Sequence, residues 1–475
     1  MIETSRWPRQ PRKGVKENFF FSNSIRVHAK MTSMKQPLSN PGISRRQFIA
    51  TTGMAIAAPT IIPASALGQG ARPAPSKRVT LGVVGCGWQG TSNTDSFLAL
   101  KDCQIIAACD LDKKHLEQEV NSINKHYGNK DCKAYHDYRE LLSRRDIDAV
   151  MLAVPDHWHM LVAVEAAKHK KDIYGEKPLA RTIHEQQLLV QAVQKNKCIW
   201  QTGSWQRSVP NFHKAAEIVR NGLIGKVTRV EIGLPAGQQD FAGTKAKVSV
   251  TVPPPELDYN FWIGPSKMML YVEARLHKNW RWNYNTGGGQ LLDWVGHHCD
   301  IAHWGLGLDN SGPSEIEGVG EFPPPDAVWN TCTKYRINLK YPDDIAMVIA
   351  GGYSDIRGGV KWIGADGWVW VYRGGFESSN DDWRGFKTLP EDMRKVKLYQ
   401  SNSHWQNFLD CVKSRQPAIT PAETAHHSTI PGHLGLISML TGRKIKWDAD
   451  NEIILGDPEA SELLTRDYRK PWKLS

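Results

Sequence analysis

From Arg78 to about residue 202, short apolar runs alternate with amphipathic stretches. Val79–Val84, Gln104–Cys109, Ala149–Val154, Asp172–Tyr174 and Ile199–Gln201 are apolar runs too short for helices, and they predict strands. Between them, Lys113–His126, His159–His169 and His184–Lys195 carry a helical period. Near-continuous apolar strands separated by helices predict a parallel sheet covered on both faces. The pattern changes after Gly203. A helical stretch, Val209–Asn221, and a strand, Lys226–Leu234, lead to the proline run Pro253-Pro254-Pro255 and an aromatic-rich region with Trp262, Trp280, Trp282 and Tyr284. Past residue 315 the alternation is mostly that of strands: Thr331–Leu339, Ile345–Tyr353, Val360–Ile363 and Gly367–Tyr372. Turn signals such as Tyr341-Pro342-Asp343-Asp344 and Ala365-Asp366-Gly367 join them, as in antiparallel hairpins. The expected fold class is α/β, with one domain over 78–202 and a second over 203–475.

Composition changes this picture mainly at the N-terminus. The chain has 475 residues, 40% hydrophobic and 23% charged, which excludes a mostly disordered polymer. Of the net charge of +11, residues 1–46 contribute +8 and residues 47–66 contribute nothing. The basic character therefore belongs to a leader, and nucleic acid is not an expected partner. Ser44-Arg45-Arg46-Gln47-Phe48-Ile49 resembles a twin-arginine translocation signal. An uncharged stretch to Ile62 and a small-residue site, Ala64-Ser65-Ala66, complete a signal-peptide pattern. Residues 1–66 are thus expected to be a leader with a twin-arginine signal peptide, 67–77 a linker, and the mature protein exported and periplasmic. Residues 1–30 fit no signal-peptide pattern, and Met31 or Met34 would give a normal start. No membrane span is expected after signal removal. The eight cysteines form no C-x-x-C pair, and several fall in apolar runs where cysteine acts as a small hydrophobe.

The first strand runs directly into Gly85-Cys86-Gly87-Trp88-Gln89-Gly90, a G-x-G-x-x-G. Alone this is a weak signal. Here a strand precedes it, a helix-compatible segment follows, and Asp110 stands twenty residues past Gly90 at the end of the second strand. Gly85 permits the tight turn, Gly87 lets the backbone approach a pyrophosphate, and Gly90 lets helix and strand pack closely. Asp110 would accept from the adenosine ribose and repel the extra phosphate of NADP, which favours NAD; Lys113 and Lys114 nearby leave NADP open. The loops after the next strands, Pro155-Asp156-His157-Trp158-His159 and Gly175-Glu176-Lys177-Pro178, lie at carboxyl ends of a parallel sheet, where ligands sit. In Gly287–Trp304, Asp293 and His297 are i and i+4 on a helical stretch, a spacing suited to a carboxylate-tuned general base. A helix-start aspartate with a surface histidine would look the same.

Gly85–Gly90, Glu176-Lys177-Pro178 and Gly287–Asp300, in this order, resemble the Gfo/Idh/MocA oxidoreductase family over about residues 78–445. The resemblance implies an N-terminal Rossmann domain and a C-terminal α/β domain with a large, open, mostly antiparallel sheet, through which members form homodimers or homotetramers. It implies that Lys177, Asp293 and His297 are catalytic, with His297 the base and Lys177 beside the reacting hydroxyl. It also implies that Pro155, His159 and Glu176 join the glycine loop and Asp110 around the cofactor. His157, Trp158, Arg207, Trp280, Arg281 and His298 are the candidate substrate-facing residues.

The His157/His159, His297/His298 and His426/His427 pairs invite a metal reading, but no third ligand stands at conventional spacing, so no metal is expected. Three classes remain open. One is an NAD-dependent oxidoreductase of a sugar, polyol or glycoside. Another is a redox-neutral glycosidase, lyase or epimerase that uses NAD transiently. The third is a non-catalytic binding protein.

Overall fold

The structure, a computed structural model, describes residues 73–474. The twin-arginine motif and the Ala64–Ala66 site lie outside the described residues.

The first sheet holds six strands: β1 (Val79–Val84), β2 (Cys103–Cys109), β3 (Lys133–Tyr135), β4 (Ala149–Leu152), β5 (Asp172–Gly175) and β6 (Trp200–Thr202). Their order is β3-β2-β1-β4-β5-β6, every pair parallel. This is the doubly wound dinucleotide-binding order. Alternate residues of one strand feed opposite cores: Ala149 and Met151 join one apolar cluster, Val150 and Leu152 the other. Helices α1 (Trp88–Leu98), α2 (Lys113–Tyr127), α3 (His159–Lys168) and α4 (Ile183–Asn196) connect the strands. Local chemistry fixes their ends. The Asp112 side chain accepts from Lys114 N and His115 N to start α2, and Gly128 at φ 67° ends it. Thr182 and Glu185 form a capping box on α4. Strand β3 was not anticipated, because its Lys-Ala-Tyr is an exposed edge with no apolar run.

The second sheet is built from nine strands: β7 (Val227–Leu234), β8 (Glu315–Glu321), β9 (Lys334–Lys340), β10 (Ala346–Gly351), β11 (Gly359–Gly364), β12 (Trp368–Tyr372), β13 (Gly375–Ser378), β14 (Ile445–Asp448) and β15 (Ile453–Ile454). Only the β7–β10 pair is parallel, so the sheet is mixed and mostly antiparallel. Helices α5 (Pro210–Arg220) and α6 (Gly289–Leu306) fall where helical stretches are expected, and α7 (His404–Ser414) and α8 (Ala422–Thr441) add two more after the strands. Ile218, Leu292, Val295 and Leu434 from α5, α6 and α8 join Ile232, Ile337 and Val360 of the sheet in one core. Helix α7 instead returns to the first sheet. Its Phe408 and Leu409 join Leu81 and Phe97, a packing that a split at residue 203 does not anticipate.

Residues 235–285 leave the second sheet and fold over the first. Leu257, Tyr259, Trp262 and Tyr271 form a small core of their own. The backbone there is stitched to the end of β2: Lys113 N donates to Glu256 O (2.9 Å) and Asp258 N to Leu111 O (3.1 Å). Seven of the eight cysteines are buried. No helix among the described residues is long and apolar enough to cross a membrane.

Candidate active site

The carboxyl ends of β1, β2, β4 and β5 open into a cavity of about 420 Å³. Every residue expected at the cofactor lines it except Gly90. The glycine loop explains itself in steric terms. Gly85 has φ +94°, and a Cβ there would stand 2.4 Å from Ala153 O. A Cβ on Gly90 would meet Gly85 O at 1.9 Å, so Gly90 serves close packing rather than the cavity wall. A Cβ on Gly87 would meet nothing within 4 Å, and no side chain caps α1, which starts at Trp88. An open cradle beside an uncapped helix N-terminus fits a dinucleotide pyrophosphate. Asp110 reaches back to the loop: its Oδ2 accepts from Cys86 N (2.6 Å) and its Oδ1 from Asp112 N (2.8 Å). Burial pushes its carboxyl up, although these backbone bonds oppose the shift. Leu257, Phe261, Trp262, His277, Trp280 and Arg281 of the 235–285 segment supply the facing wall.

At the inner end of this cavity, Lys177 Nζ donates to Asp293 Oδ1 at 2.8 Å, and Arg281 Nε donates to the same oxygen at 2.9 Å. Both cations bear on one carboxylate. Burial pushes Asp293 up, but Lys177 and Arg281 outweigh it and hold the carboxyl well below the usual range. Arg281 also lies over the Trp280 ring, 4.4 Å from its centroid. Gly296 brings the Lys177 loop close to α6: a Cβ there would stand 3.3 Å from Lys177 Cβ.

His297 follows one turn after Asp293 on α6, as the spacing predicts. No hydrogen bond joins Asp293 to His297; Asp293 Oδ1 instead accepts from the two cations. Neither ring nitrogen of His297 has a hydrogen-bond partner among the described residues. Burial, then Lys177, Arg373 and His298, push its pKa well below 6.5; Asp293 opposes them weakly. The imidazole is therefore neutral near pH 7 and free to take a proton.

Several expected substrate-facing residues do other work. Arg207 is bound by Asp300 (2.9 and 2.8 Å) and Asp309 (3.2 and 2.7 Å), with 3% of its side chain exposed. His298 is fully buried, stacked between Trp294 and Tyr372. Burial drives its pKa down to about 3. His157 is wedged between the carbonyls of Thr286 (3.1 Å) and Trp262 (2.9 Å). With Asp156 Oδ2 accepting from Gly288 N (3.0 Å), it ties the β4 loop to the start of α6. Trp158 lines the cavity but is only 4% exposed, donating to Trp262 O. Trp280 and Arg281 do face the cavity. His159 bridges Val154 O (2.8 Å) and Pro178 O (2.7 Å), fixing the β4 and β5 loops against each other.

Of the histidines read for metal, His157 and His159 bond to backbone carbonyls, and His426 lies between Gln186 and Glu452, both at 2.8 Å. A different group, Asp112, His115 and His277, brings three possible ligand atoms within 4.8 Å of one another on the cavity wall. Asp112 and His115 stand three residues apart, and His277 joins them only through the fold. Arg373, which acts on His297 from the β12–β13 turn, was missed for the same reason.

Residues 79–204 match the family described as an oxidoreductase family, NAD-binding Rossmann fold, and residues 209–474 match its C-terminal alpha/beta domain. The chain is 29% identical over 229 residues to myo-inositol 2-dehydrogenase of Thermotoga maritima, covering 48% of this chain and 54% of that protein. It is 33% identical over 161 residues to glycosyl hydrolase family 109 protein 2 of Shewanella sp. (strain ANA-3), covering 32% of this chain and 34% of that one. The chain thus spans about half or less of the length of the curated relatives it matches. Among solved structures, an aldose-aldose oxidoreductase from Caulobacter crescentus superposes with a TM-score of 0.57 at 17% identity, covering 78% of this chain and 99% of that one. That likeness is one of fold.

Proposed function

The chain belongs to the Gfo/Idh/MocA oxidoreductase family, and from that premise we propose that it oxidises a hydroxyl of a sugar, polyol or glycoside. The observation that carries this reading is the junction of Lys177 and Arg281, which line the glycine-loop cavity, on Asp293, one turn before a His297 that has no hydrogen-bond partner among the described residues. NAD, held by the glycine loop and Asp110, would accept the hydride from the carbinol carbon. His297 takes the hydroxyl proton, and its neutrality leaves it able to do so. Lys177 stabilises the negative charge growing on the substrate oxygen. Asp293 positions Lys177 and Arg281 and offsets their mutual repulsion. The facing wall of residues 257–281 keeps water from this end of the cavity.

The stitched wall also supports tight retention of NAD through the reaction cycle. Protein purified without added cofactor should release NAD on denaturation, identified by mass spectrometry. Reduced nicotinamide absorbance should then rise on addition of the right sugar. Protein isolated empty, needing free NAD for every turnover, would return the reading to a freely exchanging dehydrogenase. Cofactor choice is tested by Asp110→Ala, which should lower the preference for NAD over NADP by about tenfold. An unchanged ratio would mean the acid is not at the ribose.

The likeness to a glycosyl hydrolase family 109 protein supports a second reading, in which oxidation is transient and the hydride returns to the sugar. Product would then form without net NADH. Export is part of the proposal and rests on Arg45-Arg46 and Ala64-Ser65-Ala66; N-terminal sequencing of native protein should start near Leu67. A homodimer or homotetramer is the expected assembly, checked by light scattering.

A further inference from the structure

Close enough to His297 to act on its charge stands a guanidinium with no paired anion among the described residues. Arg373 lies in the turn between β12 and β13, its Cζ 4.7 Å from the Trp205 ring centroid and 4.5 Å from that of Trp294. Two indoles thus hold the fork in place by its faces and leave its N–H edges for a ligand. Its only polar contact among the described residues is Gln206 Oε1, at 3.4 Å from Nε and 3.3 Å from Nη2. No carboxylate pairs with it, whereas Arg207, Arg281 and Arg466 each hold one. Gln206 itself is fully buried, and its Nε2 has no partner. Trp294 follows Asp293 directly on α6, and its ring centroid is 5.8 Å from that of His297.

Lys177 and Arg281 bond to one carboxylate, Asp293, with the Asp156 and Glu176 carboxyls buried nearby, and Arg373 is a third cation that forms no ion pair among the described residues. We propose that Arg373 is the specificity-determining residue of this site and that the substrate is a sugar bearing an oxyanion, which Arg373 grips while the reacting hydroxyl lies between Lys177 and His297. A fork–fork pair of guanidinium with carboxylate, phosphate or sulfate is short, directional and stronger than a neutral hydrogen bond. The bound anion would also cancel the Arg373 charge that disfavours the imidazolium of His297, so binding the correct substrate makes its base a better one. The inference rests on the hydroxyl-oxidising reading above and names the substrate class for that site.

Isothermal titration of the NAD-loaded full chain with D-glucuronate, a glucose monophosphate and D-glucose tests it. At least one anionic sugar should bind about tenfold or more tighter than glucose. The tighter of the two anions tells whether a carboxylate or a phosphoryl group is the natural one. Arg373→Met should abolish that difference, and Arg373→Lys should restore part of it, with NAD content and melting temperature unchanged in both. Equal affinity for glucose and both anions, no binding of either anion, or a preference that survives in Arg373→Met overturns the inference. None of these results touches the NAD content or the sugar-dependent absorbance on which the broader reading stands.

Discussion

Along α6, Asp293 and His297 precede Asp300 and His303 by about two turns, and each aspartate is bound by an arginine. The earlier aspartate takes two cations on one oxygen and is held well below the usual carboxylate range. The later one shares a single cation, Arg207, with Asp309, and burial pushes it up to about 6. The histidines diverge likewise: His303 Nε2 is tied to the Tyr341 hydroxyl at 2.8 Å, while neither nitrogen of His297 has a hydrogen-bond partner among the described residues. Identical residue types thus serve as framework where their polar groups close on each other. In the earlier set two cations share one aspartate oxygen beside a histidine with no hydrogen-bond partner among the described residues, the arrangement on which the proposed chemistry rests. The position of the extra cation separates the two sets, and Lys177 arrives from the other sheet.

The sharpest way to break this contrast is to remove groups from the first set. His297→Ala or Lys177→Ala should lower turnover by about 10²–10⁴-fold, with melting temperature and NAD content near wild type. Near-normal turnover in either variant would take that residue out of the reaction. Next comes the second set. Arg207→Met leaves the buried Asp300 and the half-buried Asp309 without their cation, and unfolding should become easier by about 3–5 kcal/mol in urea titration. Turnover per folded molecule should change little. A stable but inactive Arg207→Met protein would reverse the assignment of the two halves of the helix.

A smaller effect sharpens the electrostatic side. Burial and the charges of Lys177 and Arg373 favour the neutral form of His297, so kcat/KM should rise with pH and level off below pH 6.5. A limb centred at or above 6.5 would mean that another group titrates. The smallest effect is on stability against pH. The native Asp300 carboxyl, at about 6, binds its proton more tightly than the unfolded one at 3.8. Its contribution therefore falls as pH rises between those values, and Asp300→Asn should flatten that decline. Asp293, with its depressed pKa, acts in the opposite sense: its contribution is present above the unfolded value and is lost only in stronger acid. Melting temperatures of the two Asn variants across this range check both signs.

The glycine loop, Asp110, Lys177 and the Asp293–His297 spacing were legible in the sequence because each is bound to a local geometry: a strand end, a tight turn, one helix face. His298 was misread for a related reason. Adjacent helix residues point about 100° apart, so a neighbour of His297 faces the sheet rather than the cavity. Arg207 looked like a free cation because its partners lie some hundred positions away. Helix α8 was hidden by Pro431, Gly432 and Gly435. Gly435 is there for proximity, since a Cβ would come within 2.3 Å of Ile337 on the sheet. Arg373 and the His115–His277 pair owe their positions to tertiary contacts alone and left no local trace.

The stitching of residues 256–258 to residues 111–113 has a kinetic consequence. A ligand that leaves past residues 256–258 must first break the backbone bonds of Lys113 and Asp258. Its residence time is then set by a local opening equilibrium of the protein, however strong or weak its own contacts. Amide exchange at Lys113 and Asp258 would report that opening directly, and any change that loosens residues 256–258 would hasten escape without touching the glycine loop.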